Sequence, residues 1–326
     1  MLAASPESQA AALFLLYRPG AREVAMGESG VASAAGHAAS WYNPSLVAWQ
    51  TRHGSVGLTW IPANTELLDR TYRYLSTTAR LDRQWSIALS IADEREVNVP
   101  GVCDYFRDAR TTILVGSVAR EFGERSSFGF SLKWIRERQQ DGGFPGLGDV
   151  RKAGGWAVDL GVGSWVGRYI RLAAAIRNFG PNVRYTHESK SSPMPVNLSV
   201  GADAKVLRTK NHSLTLAGEL YKPLVQDYRK AWYLAPIRAW YDQSFHEERR
   251  QIDLHLGAEY GWRDRLFVRG GCYRDWDGGR KWFTYGAGVR WPIWKMAVTA
   301  DVSFIHATGG YDPEDGRRAF SLGVAL

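Results

Sequence analysis

The side chains able to do chemistry are few and scattered in this chain. Its seven histidines are His37, His53, His187, His212, His246, His255 and His306, and no two stand at metal-ligand spacing on one strand face. A serine hydrolase would need a nucleophile, a base and an orienting acid. No Gly-x-Ser-x-Gly occurs, and the stretch Gly27 to Gly30 has the wrong register. His255, flanked by Asp253 and Glu259, is the best acid–base candidate, yet a buried polar network needs the same three groups. The stretch Asp312 to Gly316 clusters carboxylates that suit calcium, without EF-hand spacing, and reads as a solvated turn. Asn197 and Asn211 match glycosylation sequons but fall in or beside expected strands. Two cysteines, Cys103 and Cys272, exclude a disulfide scaffold and a four-Cys zinc site, and leave one bridge open. The expectation is a protein that is not an enzyme, with no metal and no cofactor.

The elements that carry these residues are strands. Successive side chains of a strand point to opposite sides of its sheet, so strict alternation marks two unlike faces. In 155–166, Trp156, Val158, Leu160 and Val162 alternate with Ala157, Asp159, Gly161 and Gly163. The same pattern recurs at 196–206, 251–260, 283–291 and 320–326. One face is apolar; the other is small or charged. Fourteen such segments follow one another: 54–62, 72–82, 84–92, 111–121, 126–138, 155–166, 169–179, 196–207, 212–223, 250–262, 265–276, 281–292, 296–307 and 318–326. Most reach the ~9–11 residues that a tilted strand needs to cross a bilayer.

Connections alternate short and long, as in outer-membrane barrels with short periplasmic turns, long external loops and an even strand count. A sheet in hydrocarbon cannot leave an edge, because each orphan backbone group costs several kcal/mol. Closure removes every edge. The expected fold is therefore all-β: a fourteen-stranded antiparallel transmembrane β-barrel at 54–326. Residues 1–53 are expected to begin on the short-turn side and to fold up into the barrel as a plug or hatch. On this reading the lumen carries Asp159, Arg171, Arg177, Asp203, Lys205, Glu219, Asp253, Glu259, Arg269, Arg290 and Asp301. Trp60, Trp85, Trp134, Trp156, Trp165, Trp262, Trp276, Trp282 and Trp291 lie mainly toward segment ends, where interfacial girdles are expected.

Composition agrees. The 326 residues include 14 Trp, 15 Tyr, 12 Phe and 34 Gly, which excludes a disordered chain and a collagen. The longest apolar stretch, 10–17, is far too short for a membrane helix. Lys and Arg number 41 against 33 Asp and Glu. The acids interleave with the bases, so the excess suggests anionic outer-membrane lipid or lumen pairing rather than nucleic acid. The stretch 224–249 holds Tyr228, Trp232, Tyr233, Trp240, Tyr241 and Phe245, an aromatic density that marks a partner interface or a cover over the barrel mouth.

Several patches resemble the PorV/PorQ-type proteins, which belong with the FadL-like fourteen-stranded barrels. Residues 14–32, with Pro19, Arg22, Met26 and Gly27, resemble that family's opening element, and Asn43-Pro44 closes its Tyr-Trp-Asn-Pro element, here with Trp41 and Tyr42 inverted. Residues 172–185, 195–201 and 279–290 resemble three further family stretches, with Arg177 in place of the usual Gln. The resemblance implies an outer-membrane component of the type IX secretion system. Its partners would be the translocon barrel and secreted cargo bearing a C-terminal signal domain. The alternative is a FadL-like transporter of hydrophobic small molecules, and a third reading is a structural porin. The opening residues lack the basic stretch of an export signal, so a mature or shortened form is expected.

Overall fold

Every backbone group of the wall has to find a partner on a neighbouring strand, and the architecture follows from that requirement. In the computed structural model, residues 10–50, 53–62, 68–98, 106–142, 149–186, 190–225, 231–241, 245–308 and 314–326 are described. The strands are β1 (Gly54–Pro62), β2 (Leu68–Arg80), β3 (Trp85–Asn98), β4 (Phe106–Phe122), β5 (Ser126–Gly142), β6 (Asp149–Val166) and β7 (Ile170–Phe179). They continue as β8 (Asn197–Arg208), β9 (His212–Pro223), β10 (Asp253–Trp262), β11 (Leu266–Arg274), β12 (Lys281–Ile293), β13 (Met296–Ala307) and β14 (Arg318–Ala325). Each pairs antiparallel with its sequence neighbours, and β14 returns to β1 with Leu58 opposite Leu322, so the sheet closes.

Side-chain parity runs as the alternation requires. Trp156, Leu160, Val200, Leu256, Phe283, Tyr285 and Leu322 are exposed on the outer surface, while Asp159, Ser199, Asp203, His255, Thr284 and Ser303 are buried in the lumen. Two girdle expectations need correction. Trp282 shares the parity of Thr284, is 6% exposed and packs on lumen-facing Tyr273. Trp165 faces Trp49 of the N-terminal segment. Being near a strand end does not choose a face; parity does.

Five strands outgrow their expected spans. β2 to β6 reach 13, 14, 17, 17 and 18 residues, the added residues lying at the long-loop end. Runs such as Glu94-Arg95-Glu96 and Arg136-Glu137-Arg138 lack the apolar alternation that signals a lipid-facing strand, so the sheet continues there into water with two polar faces. At the short-turn end, Arg263 and Asp264 both take positive φ between β10 and β11, a turn whose twist suits the flanking strands.

The N-terminal segment fills the lumen along the strand direction. The Ala11 N–H bonds to the Pro193 carbonyl in the long β7–β8 connection, and Tyr17 meets Glu314 beside β14. At the other end Arg80 Nη2 donates to the Ala48 carbonyl close to the β2–β3 turn. Residues 11–17 therefore lie among the long loops and 44–50 near the short turns; the start of the segment, residues 1–9, lies outside the described residues. Between them lie α1 (Ala21–Ala25) and α2 (Ala39–Tyr42), and almost every residue from 18 to 48 is buried or nearly so.

Candidate functional site

The lumen-facing glycines of the alternating strands are seats for the N-terminal backbone. A Cβ at Gly257 would strike Met26, and one at Gly271 would strike the backbone of Met26 and Gly27. Gly27 itself lies at φ +67°, and a side chain there would meet the Leu256 and Cys272 carbonyls. Gly129 and Gly161 in the same way admit Pro44 and Asn43. Only residues without a side chain allow main chain to approach main chain so closely. The six residues singled out from the opening motif thus lie inside the barrel at two places, Arg22, Met26 and Gly27 against β10 to β12 and Asn43 and Pro44 against β5 and β6, with Pro19 buried beside Arg18.

Charge locks the segment to the wall. Arg22 makes a bidentate pair with Glu259, Nε to Oε2 at 2.9 Å and Nη2 to Oε1 at 3.0 Å. Glu259 also accepts from Arg269 at 2.6 Å, and Arg269 reaches Asp301 at 2.6 Å. Arg18 donates to Glu219 at 3.0 Å, while the second Glu219 oxygen accepts the Gly30 and Val31 N–H groups at 2.9 and 2.8 Å. Glu28 pairs with Arg317. Charge-assisted bonds between buried partners are the strong class, and each here joins the segment to a different part of the wall. Burial works against the Arg18 cation, but Glu219 and Glu28 outweigh it, so its pKa is raised. Asn43 Nδ2 donates to the Val31 carbonyl at 3.0 Å and faces the Val162 and Ala174 carbonyls of the wall at 3.3 and 3.4 Å. His37 is the exception to this charge pairing. Its Nε2 meets Thr59 Oγ1 at 3.0 Å, and burial lowers the imidazole to about 4, holding it neutral.

Above this lock, residues 11–17 divide the long-loop end of the lumen. On the β9–β12 side lies a cavity of about 350 Å³, lined by Leu13, Leu16, Tyr17, Tyr221, Tyr273 and Trp282, with charged groups between them. Its wall is an aromatic ladder across four strands: Tyr221 to His255 at 6.2 Å, His255 to Tyr273 at 4.7 Å and Tyr273 to Trp282 at 4.4 Å between ring centroids. Every charge in the lining has a partner. Arg18 and Arg317 hold Glu219, Glu28 and Glu314, Arg280 meets Asp275 at 3.1 Å, and the Tyr273 hydroxyl donates to Asp253 at 2.8 Å. A second cavity of about 360 Å³ lies on the β2–β5 side and is acidic, with Glu94, Glu96 and Glu137 about Arg70. The first offers aromatic faces with balanced charge, which suits a neutral solute. His255 spends its Nδ1 on the Gly27 carbonyl at 2.8 Å, so it belongs to the packing of the segment.

The loop aromatics divide. Trp232 packs against Phe179 at 5.1 Å and edge-on to Trp156 at 6.2 Å, while Tyr233, Trp240 and Tyr241 are exposed at 60%, 43% and 82%. The loop is partly helical, with α3 (Ala235–Arg238) and α4 (Phe245–Arg250), the latter opening at Phe245. Tyr228, Cys103 and Asp312 lie outside the described residues; Cys272 is free. No cluster of metal ligands occurs among the described residues. The aromatic ladder was legible as parity, since Tyr221, Tyr273 and Trp282 fall on the inward positions of their strands. The clamps from Arg18 and Glu28 carried no sequence signal beyond being charged.

No family model and no curated protein matches the chain. Solved structures do. The fold is similar to the Ralstonia pickettii toluene transporter TbuX, with a TM-score of 0.61 at 13% identity, covering 94% of this chain and 97% of that one. The CymD monoaromatic hydrocarbon channel gives 0.61 at 12%, covering 94% and 96%. A Pseudomonas aeruginosa FadL homologue gives 0.56 at 11%, covering 94% and 97%. At these identities the likeness is one of fold, and the fold is the FadL-type fourteen-stranded outer-membrane barrel.

Proposed function

We propose that this chain sits in the outer membrane with its long loops outward and takes up small, neutral, hydrophobic molecules, the N-terminal segment acting as the plug. The observation that carries this reading is the aromatic ladder facing a cavity of about 350 Å³, a size within the ordinary range for small-molecule sites. Its charges are matched and already paired, so nothing there is free to hold an anion, whereas a row of four neighbouring aromatic rings favours an uncharged ring. The likeness to transporters described by their toluene and monoaromatic hydrocarbon cargo supports the same class.

The test is tryptophan fluorescence of the purified protein in detergent, titrated with toluene and naphthalene. Saturable quenching is expected, and Trp282→Ala should weaken binding about tenfold, the loss of roughly one aromatic contact. Absence of saturable binding by either ring compound would overturn the reading.

A second reading, a PorV-like component of the type IX secretion system, is favoured by the exposed Tyr233, Ile237 and Tyr241 at the long-loop end and by the family-like residues gathered in the lumen. Here the translocon barrel and cargo with a C-terminal signal domain would be the partners. A mild-detergent pull-down from the native cell separates the two: recovery of the translocon barrel, lost on Tyr233→Ser with Tyr241→Ser but with ring-compound binding unchanged, selects secretion.

A further inference from the structure

The outer surface of the tall wall carries a charge pattern that the lumen does not explain. Four neighbouring strands place Arg95, Arg110, Arg138 and Lys152 directly opposite one another, in one cross-strand row. Like charges so placed repel. Arg136 lies one outward position below Arg138 and adds to them. Two acids answer: Asp93 accepts from Arg110 at 3.0 Å and Asp108 stands 3.5 Å from Arg95. Arg136, Arg138 and Lys152 have no acidic partner among the described residues. These side chains enclose a cleft of about 530 Å³ with no apolar residue in its lining.

The position of the row is the second observation. Four residues down the same strands, the outward row is Ile91, Leu114, Trp134 and Trp156. Tryptophan marks the edge of the apolar belt in such barrels. The cations begin about 7 Å beyond that edge along the strand and end about 13 Å beyond it. A lipid whose chains lie against Leu114 and Trp134 carries its headgroup at that height.

We propose that this cleft is a docking site for the phosphorylated headgroup of an outer-leaflet lipid. Arg136, Arg138 and Lys152 would supply the phosphate contacts, and an anion between them removes the repulsion along the row. Arginine forks match phosphate oxygens two at a time. A soluble acidic protein is the poorer occupant, because the cleft faces sideways over the lipid surface. The inference rests on the outer-membrane placement and is independent of what crosses the lumen.

Native mass spectrometry of the full chain in detergent, with bisphosphorylated lipid A added, reads the site directly. Wild type is expected to retain one lipid through detergent removal. The triple variant Arg136→Ala, Arg138→Ala, Lys152→Ala should retain about a hundredfold less, the combined effect of three cations that each favour an anionic surface by about 1 kcal/mol. Arg263→Ala with Arg265→Ala, at the short-turn end, should bind as wild type. Dephosphorylated lipid A should not be retained, and excess inorganic phosphate without acyl chains should not displace the lipid. Equal retention by the triple variant, equal retention of the dephosphorylated lipid, or displacement by inorganic phosphate alone would each overturn the proposal. Folding of the variants is checked by the heat-dependent gel shift, and the single Arg138→Glu, which reverses a charge on an exposed strand, repeats the test should the triple variant fold poorly.

Discussion

The two sides of the barrel solve different problems with the same repeating strand. On the tall side β4, β5 and β6 run 17, 17 and 18 residues and rise out of the membrane with charge on both faces. On the short side β10 and β11 have 10 and 9 residues, and their inner face takes the N-terminal backbone on Gly257 and Gly271 beside the Glu259 clamp. The outer face of the tall side holds its charges in water, where Arg110 is 65% exposed; the lumen buries them, with Arg18 and Glu219 at 6% and 1% on the short side and Lys133 and Asp159 at 1% and 0% between β5 and β6. An ion pair in water is nearly replaceable, while one partner of a buried pair cannot be removed without stranding the other. The contrast predicts where the molecule is fragile.

The largest effect is expected at Glu219→Ala, which strands Arg18 and the Gly30 and Val31 N–H groups. A loss of about 3–5 kcal/mol should lower the midpoint of the heat-dependent gel shift and raise single-channel conductance as the plug loosens. An unchanged midpoint would erase the distinction between the sides.

Next comes acid. The His37 pKa is about 4 when folded and ordinarily ~6.5 in an unfolded chain, so the unfolded state binds the proton first. The stability held by neutral His37 is therefore fully present above about pH 6.5, falls as pH drops toward 4, and reaches a loss of roughly 3 kcal/mol below that. Comparing wild type with His37→Gln by denaturant unfolding at several pH values isolates this loss. A difference between the two proteins that stays flat with pH would remove His37 from the account.

A smaller contrast pairs two glycines. Gly271→Ala drives a methyl into the Met26 and Gly27 backbone and should cost about 1–3 kcal/mol. Gly154→Ala on the tall outer wall meets only the Ile135 carbonyl, at 3.4 Å, and should stay within about 0.5 kcal/mol. Thermal unfolding of both variants ranks them, and equal losses would deny that the lumen glycines are seats. The smallest effect is Asp93→Asn, which removes the half-buried partner of exposed Arg110 and should change stability by about 0.2–1 kcal/mol, a shift that added salt abolishes.

Much of the wall could be read from parity alone. Trp156, Asp159 and Leu160 fall on the faces their positions demand, and all fourteen strands begin and end near their expected places except at the long-loop ends of β2 to β6. Those ends were hidden because Arg136, Glu137 and Arg138 are polar on both faces, which looks like loop. The same parity placed Tyr221, Tyr273 and Trp282 inward, though the position of Trp282 at a strand end pointed to the girdle. The path of the N-terminal segment was not legible in any comparable way: its pattern suggested a plug but not that residues 11–17 reach the long loops.

The sequence by itself determined what a local period of two can encode, namely strand number, the unlike faces and the need to close. Which glycines became seats, which acid received Arg18 or Arg22, and how Arg95, Arg110, Arg138 and Lys152 came to stand in one row were decided only when the sheet closed. Those relations depend on register and on contacts such as Arg18 with Glu219, 201 residues apart along the chain. No local pattern carries information over that distance, because the partner is chosen by the geometry of the closed wall.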